Sequence, residues 1–425
     1  MKNVGMGGSR SSPALLVLVL VIAGACVAQA FGRFTYGVVL PAVRGDLLGS
    51  NRAAGLLGTM NVAAYLVGAL VVAAVSTRIS LVALIRIGLC LSTGGLLLAS
   101  FATNAVILGL ALVAMGLGGA AIWIPSPRVA AAALPPHRRG LAAGLVGMGI
   151  GLGIVFAGRL ADVLRHGGGD EWWRDVYRVE GLIGVGVLVA TVAFLRHREA
   201  GSEPGIEIGP SNASVDRVTN RTGGFGGFRT LRRIHGWLPL TLAYAAFGFM
   251  YLLVFAFLVT RLEDDAGFSA DRASAMFSLV GVAAIFGGLI LGPLSDRVGR
   301  RATMVGSFVA FGISTLAILP GNQTLVLLGA IGVGLSFSGL PAVIAAYVVD
   351  ATDAATYGPA YSAATLAFGG AQMIAPQVGG LIADWRGSFT EVFLLSVAMA
   401  ATGAVLSWRL PPARHLGLRE SDAVL

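Results

Sequence analysis

Gly292-Pro-Leu-Ser-Asp296-Arg297-Val-Gly299-Arg300-Arg301 lies between two long apolar runs, and its reading decides the fold. An acidic residue and three arginines next to two segments long enough to span a bilayer predict a short loop at one membrane face, with Gly299 permitting a tight turn. The loop ties two helices together. The composition agrees: 425 residues are 56% hydrophobic and 12% charged, with mean hydropathy +0.81, against about 25% charge in ordinary soluble domains. The expected fold is an all-α integral membrane protein. A net charge of +9 would suggest nucleic acid in a soluble chain. Here the basic residues gather between apolar segments, where they set orientation, and no nucleic-acid partner is expected.

Runs of about 20 apolar residues predict twelve transmembrane helices. They are Ala14 to Leu40, Ala54 to Ser76, Ser80 to Phe101, Ala105 to Ala133, Gly140 to Leu160 and Gly181 to Leu195, then Trp237 to Thr260, Ala273 to Gly292, Ala302 to Leu319, Thr324 to Val349, Tyr361 to Ile382 and Val392 to Trp408. Lys2, Arg10 and Ala28-Gln29-Ala30 also fit a signal peptide. That reading is rejected, because the apolar run continues to Pro41 and Ala30-Phe31-Gly32 recurs as Ala246-Phe247-Gly248. The chain divides into a six-helix half (residues 1–195), a polar Gly/Ser/Arg-rich linker (196–236) and a second six-helix half with a tail (237–425). Gly158-Arg-Leu-Ala161-Asp162 matches Gly380-Leu-Ile-Ala383-Asp384, and Asn51-Arg52-Ala53 matches Asp271-Arg272-Ala273. Two pseudo-symmetric halves of this kind place a solute path between them at mid-membrane. Basic loops put both termini, the linker and the tail in the cytoplasm of a bacterium, across its inner (plasma) membrane.

The stretch from Gly292 to Arg301 resembles the signature loop between helices 8 and 9 of the major facilitator superfamily. The first helix, Phe31-Gly-Arg33-Phe-Thr-Tyr36-Gly-Val-Val-Leu40-Pro41, followed by Arg44-Gly-Asp46 and Ala54-Gly55-Leu56-Leu57-Gly58, resembles the YbfB/YjiJ branch. The resemblance implies a permease, not an enzyme, working by alternating access, with Gly292, Asp296, Arg297, Gly299, Arg300 and Arg301 in a conformational role. In the first-half counterpart the acidic residue is replaced by Thr77 and the turn glycine by Ser80, so the latch is one-sided. Leu112 in place of a helix 4 arginine, and a glycine run Gly147, Gly149, Gly151, Gly153 without proline, weaken a drug-antiporter reading.

On the first helix Gln29, Arg33 and Tyr36 share one face. Arg33 sits roughly 9 Å past the helix midpoint toward the outside. A charge there costs about 2.5 to 3.5 kcal/mol on insertion scales, which favours a polar cavity over lipid. It either grips an anionic group, such as a carboxylate, or is a structural arginine bonded to carbonyls or snorkelling outward. Arg128, after two prolines, is a second anion contact or an interfacial anchor, and Arg86 snorkels. Asn61 with Tyr65, Tyr244 with Phe247 and Tyr251, Thr365 with Phe368 and Gln372, and Trp123 complete a mostly apolar candidate cavity. Small-residue spacings such as Gly140 to Gly144 predict helix contacts, and Pro341 and Pro376 predict bends.

No Asp or Glu falls deep in a predicted helix, which favours facilitated exchange, co-transport in which the anion brings its proton, or coupling through an end residue. Cys26 and Cys90 lie in apolar runs and the five histidines lie in or beside loops, so no disulfide, metal or cofactor is expected. The sequence therefore predicts a monomeric secondary active or facilitative transporter of a small organic solute, anionic or amphipathic. The alternatives are efflux of hydrophobic or drug-like compounds, or a non-transporting membrane receptor or scaffold.

Overall fold

The computed structural model describes residues 11–411 apart from 77, 136–140, 168, 170, 196–228, 230 and 353–356. Most of the linker, the C-terminal tail, Thr77 and Gly140 lie outside the described residues. Twelve helices are long and apolar enough to cross a membrane. They are α1 Ala14–Leu48, α2 Asn51–Val75, α3 Leu81–Ser100, α4 Ala105–Ala132, α5 Gly144–Gly167, α6 Trp172–Phe194, α7 Trp237–Asp264, α8 Ala270–Val298, α9 Arg300–Ile318, α10 Gln323–Asp350, α11 Ala360–Arg386 and α12 Thr390–Trp408. Twelve crossings return the chain to the face on which it began. That face is called near, and the opposite one far.

The two halves repeat one packing scheme. α2 packs on α4 as α8 packs on α10, α3 on α4 as α9 on α10, and α3 on α6 as α9 on α12. Two symmetry-related pairs, α2 with α11 and α5 with α8, join the halves, together with the Thr35–Val43 segment of α1 against α7. The Ser11–Ala25 segment of α1 and the Ser126–Ala132 segment of α4, both toward the near face, pack mainly on their own half.

The seam is tightest toward the far face. A Cβ added at Gly55 would stand 2.2 Å from the Pro376 carbonyl oxygen, and one at Gly37 2.3 Å from that of Phe255, so the backbones touch only because side chains are missing there. Charges close the same face. Arg44 makes a two-pronged ion pair with Asp264 at 2.5 and 3.1 Å, and Arg165 one with Glu263 at 2.7 and 3.0 Å. Asp384 accepts from the backbone N–H groups of Asn51 (2.9 Å) and Arg52 (2.7 Å), placing an anion on the free N–H groups at the α2 N-terminus.

Two expectations are corrected. The stretch Gly292 to Arg301 is not a loop: α8 runs through Pro293 to Val298, and Gly299 alone, at φ +93°, separates it from α9. Arg300 is the centre of a clamp. It pairs with Asp296 at 2.5 Å and with Asp350 of α10 at 3.0 Å, and donates to the Ser295 hydroxyl. Arg301 lies over the Trp408 ring at 4.8 Å, while Arg297 is exposed and Gly292 has open space around it. The second correction is the start of α6 at Trp172 instead of Gly181. Hydropathy measures lipid exposure, and the first turns of α6 face protein. Arg174 pairs there with Asp46 at 2.8 Å and the Trp173 indole donates to the same carboxylate at 3.1 Å.

Candidate functional site

The candidate site grows from a break in α1. Its regular winding ends at Ala25, and from Cys26 to Phe34 the backbone widens to π-type turns; the Thr35 N–H bonds the carbonyl of Ala30, five residues back. Such widening frees carbonyls, and at membrane depth these need partners from elsewhere. Asn61 of α2 supplies one. Its buried amide donates to Gly32 O at 3.0 Å and to Leu112 O of α4 at 2.8 Å, tying three helices at the break. Replacing Asn61 with Leu removes both bonds. The expected cost is about 0.5 to 1.5 kcal/mol for each lost hydrogen bond, read as a lower unfolding temperature in detergent.

Arg33 projects from this segment toward the second half. Its guanidinium donates to Gln372 Oε1 of α11 and lies 5.7 Å from the Tyr65 ring centroid and 5.9 Å from that of Phe34. Its Nε is buried without a partner. Among the described residues no carboxylate lies within ion-pairing distance of Arg33. Among the described residues its one hydrogen-bonding partner is a neutral amide that is itself 3% exposed.

A run of aromatic rings leads to this point from the near-face end of α11. Tyr357 stacks on Tyr361 (5.6 Å), Tyr361 on Tyr244 (6.2 Å), Tyr244 on Phe368 (4.3 Å), and Phe368 on Phe247 (5.7 Å). Phe247 then meets Tyr251, which packs against Phe337 at 5.0 Å. A cavity of about 30 Å³ lies beside Arg33, between α1, α2, α4, α7 and α11, walled by Tyr36, Asn61, Phe255 and Pro376.

The residues singled out in the sequence divide into three groups. Arg33, Gln372, Tyr65 and Tyr251 converge, with Gln29 facing Tyr65 and Tyr244 and Phe247 behind them in the aromatic run. Tyr36, Asn61 and Thr365 spend their polar groups on protein: the Tyr36 hydroxyl donates to Ala54 O at 2.9 Å and the Thr365 hydroxyl to Tyr361 O at 2.8 Å. Trp123 packs with Val21, Ala25, Ala130 and Val146, and Arg128 is exposed near the end of α4, apart from the others. Arg86 donates to Leu195 O at 2.7 Å, holding the last turn of α6. Sequence reasoning missed Phe337 and Tyr361, although Ser336, Ser338 and Ser362 stand beside them in the chain.

It also missed Glu180. The expectation that no carboxyl lies deep in a helix is overturned: Glu180 is in the middle of α6, fully buried, and accepts from the Thr35 hydroxyl at 2.7 Å. With the helix start placed at Gly181, Glu180 had fallen just outside it.

The family model described as "Uncharacterised MFS-type transporter YbfB" matches residues 25–408. The chain is 25% identical over 331 residues to the "Probable sulfoacetate transporter SauU" of Cupriavidus necator, covering 74% of this chain and 75% of that protein. It is 28% identical over 157 residues to "Protein ZINC INDUCED FACILITATOR-LIKE 1" of Arabidopsis thaliana, where the match spans only 31% of that relative's length. With the Escherichia coli "Inner membrane transport protein YnfM", 28% identical over 164 residues, it spans 37%. Among solved structures, a bacterial homolog of the human lysosomal transporter Spinster superposes with TM-score 0.74 at 18% identity, over 94% of this chain and 97% of that one. A D-xylose-proton symporter superposes with TM-score 0.71 at 16% identity, over 94% and 98%.

Proposed function

Because the chain belongs to the YbfB-type family of major facilitator transporters, we propose that it moves a small organic anion, or an amphipathic molecule with an anionic group, by alternating access. The observation that carries the reading is Arg33. It is a cation without a counter-ion at the seam between the halves, held by the neutral Gln372 and flanked by aromatic faces. An arginine in that setting offers a forked, charge-assisted grip to a carboxylate or sulfonate, and such an anion removes the cost of an unpaired, half-buried charge. The aromatic run from Tyr357 to Tyr251 suits the carbon skeleton of the same solute. A relative named for sulfoacetate, itself a small organic anion, points the same way.

The positive-inside rule favours a cytoplasmic near face, since by chain order the arginine-rich linker (196–236) and the tail with Arg409, Arg414 and Arg419 join Arg86, Arg297, Arg300 and Arg301 on that side. The sealed far face is then external, and the conformation is one that loads or releases solute toward the cytoplasm of a bacterial inner membrane. The linker, residues 196–236, joins two halves that rock about the site, and one chain suffices for the path. Efflux of hydrophobic compounds is the second reading, favoured by the length of the aromatic run. Uptake or exchange in liposomes carrying the purified protein separates the two. Short carboxylates and sulfonates are expected to be carried and to compete with one another. Transport of amphipathic cations with no effect of the anions would overturn the proposal.

A further inference from the structure

Glu180 has no part in the site described above, and its surroundings are unusual for a carboxyl group. Its side chain is completely buried on α6, inside the first half. One oxygen accepts from the Thr35 hydroxyl at 2.7 Å, and the other, Oε2, is buried with no partner. The titratable groups that face it are the Cys26 thiol from α1 and the Tyr177 hydroxyl from its own helix, neither a cation. The basic groups on the neighbouring helices are engaged elsewhere. Arg86 of α3 bonds carbonyls at the near-face end of α6, Arg165 of α5 pairs with Glu263, Arg159 and His166 of α5 lie with Asp162 at the far-face end, and Arg174 pairs with Asp46. Arg33 points to Gln372 in the other half. A carboxylate anion at this position has no counter-charge among the described residues, so the pocket as built accepts the neutral acid.

The position of Glu180 gives that proton a mechanical consequence. Thr35, its one hydrogen-bonding partner among the described residues, is the residue at which the widened segment Cys26–Phe34 ends, and Arg33 stands two residues earlier. If one widened turn reverts to regular helical winding, the residues beside it turn by about 100° relative to the rest of α1. Arg33 then swings relative to Thr35. The bond from Thr35 to Glu180 is therefore placed to hold one setting of Arg33 against the other.

We propose that Glu180 is a proton-binding site that couples protonation to the winding of α1. With the proton on Oε2 the widened segment is held and Arg33 faces Gln372. Loss of the proton to water creates a buried anion, which the first half relieves by rewinding α1 and admitting water, and Arg33 leaves its setting between the halves. Solute movement is thereby linked to proton movement. The inference rests on the alternating-access part of the function proposed above but not on the charge of the solute.

The test is made on the purified full chain in liposomes without solute. Infrared spectra recorded as the pH is raised report protonated carboxyl groups, and hydrogen–deuterium exchange reports protection of the near-face and far-face ends of α1, α2, α7 and α11. In the wild type we expect a protonated-carboxyl band that is lost in a single titration, with protection traded between the two faces over the same pH interval. Glu180→Gln, close in shape to the neutral acid, should lack the band and keep the low-pH exchange pattern at every pH. Thr35→Val, which keeps the carboxyl but removes its partner, should shift the midpoint of the titration. The proposal is overturned if the band persists in Glu180→Gln, if it does not titrate in the wild type, or if Thr35→Val leaves the midpoint in place. Protection that trades with pH identically in Glu180→Gln and wild type overturns it while leaving alternating access intact. Protection that never trades between the faces removes the alternating-access premise itself.

Discussion

Arg33→Ala is expected to abolish saturable binding of organic anions while leaving a folded protein. The guanidinium has one neutral hydrogen-bonding partner and two aromatic neighbours, so its removal orphans no protein carboxylate, and the fold loses little. The solute loses a charge-assisted, two-pronged contact in a poorly hydrated site. Truncating one partner of a buried charge pair costs about 2 to 5 kcal/mol, so affinity should fall by about thirtyfold or more. Arg33→Lys keeps the charge but replaces the fork with a compact ammonium, and should retain only part of the affinity. Gln372→Ala should have a smaller effect, since the amide orients the guanidinium and carries no charge. Titration calorimetry with a carboxylate or sulfonate identified by uptake checks the order: wild type, Gln372→Ala, Arg33→Lys, Arg33→Ala. Equal affinity in wild type and Arg33→Ala would assign Arg33 to packing.

The second large effect is expected from a single methyl group at the seam. Gly55→Ala puts a Cβ 2.2 Å from Pro376 O, in contact with backbone that cannot swing aside as a side chain would. Gly380 is its counterpart across the same helix pair, with Asn51 O 2.1 Å from an added Cβ. Either substitution should hold α2 and α11 apart and weaken the bonds from Asn51 and Arg52 to Asp384. Transport should drop to a few percent or less, with far-face segments exchanging amide hydrogens faster. Gly186→Ala is the control, because nothing lies within 4 Å of its added Cβ. On helix propensity alone an alanine is favoured over glycine by about 1 kcal/mol, so a loss at Gly55 cannot be ascribed to helix formation. Gly55→Ala transporting as well as Gly186→Ala would mean that the tight seam plays no part in the cycle.

Much of the architecture was legible because lipid imposes a simple rule on sequence. Twelve apolar runs correspond to twelve helices, and the paired motifs at Asp162 and Asp384 and at Asn51 and Asp271 mark the repeat in the sequence itself. The repeat is not exact where it matters. Asp384 caps the start of α2, whereas its counterpart Asp162 meets Asp271, a carboxylate in the place of Asn51, with His166 lying 3.1 Å from Asp271. Arg33 could be singled out since a lone charge in an apolar run is conspicuous.

The remainder was hidden by the same rule. Hydropathy reports what faces lipid, and the first turns of α6 face protein, so Glu180 and Arg174 looked like loop residues. The Gly292 to Arg301 stretch was assigned to a loop because it is charged, yet Asp296 in the last turn of α8 and Arg300 at the start of α9 pair with each other across the single residue Gly299. The widening of α1 has no signature in composition. It follows from the partners that Asn61 and Thr35 find on other helices, which only the fold brings within reach.

Thermal unfolding of the purified protein with and without organic anions tests the central claim most directly, since a ligand that binds only the folded state raises the unfolding temperature by mass action. The account predicts that one or more small carboxylates or sulfonates stabilise the wild type in a concentration-dependent way and leave Arg33→Ala unchanged. Stabilisation of both proteins alike by amphipathic cations, with no response to any anion, would contradict it and make the aromatic run, not Arg33, the feature that selects the solute.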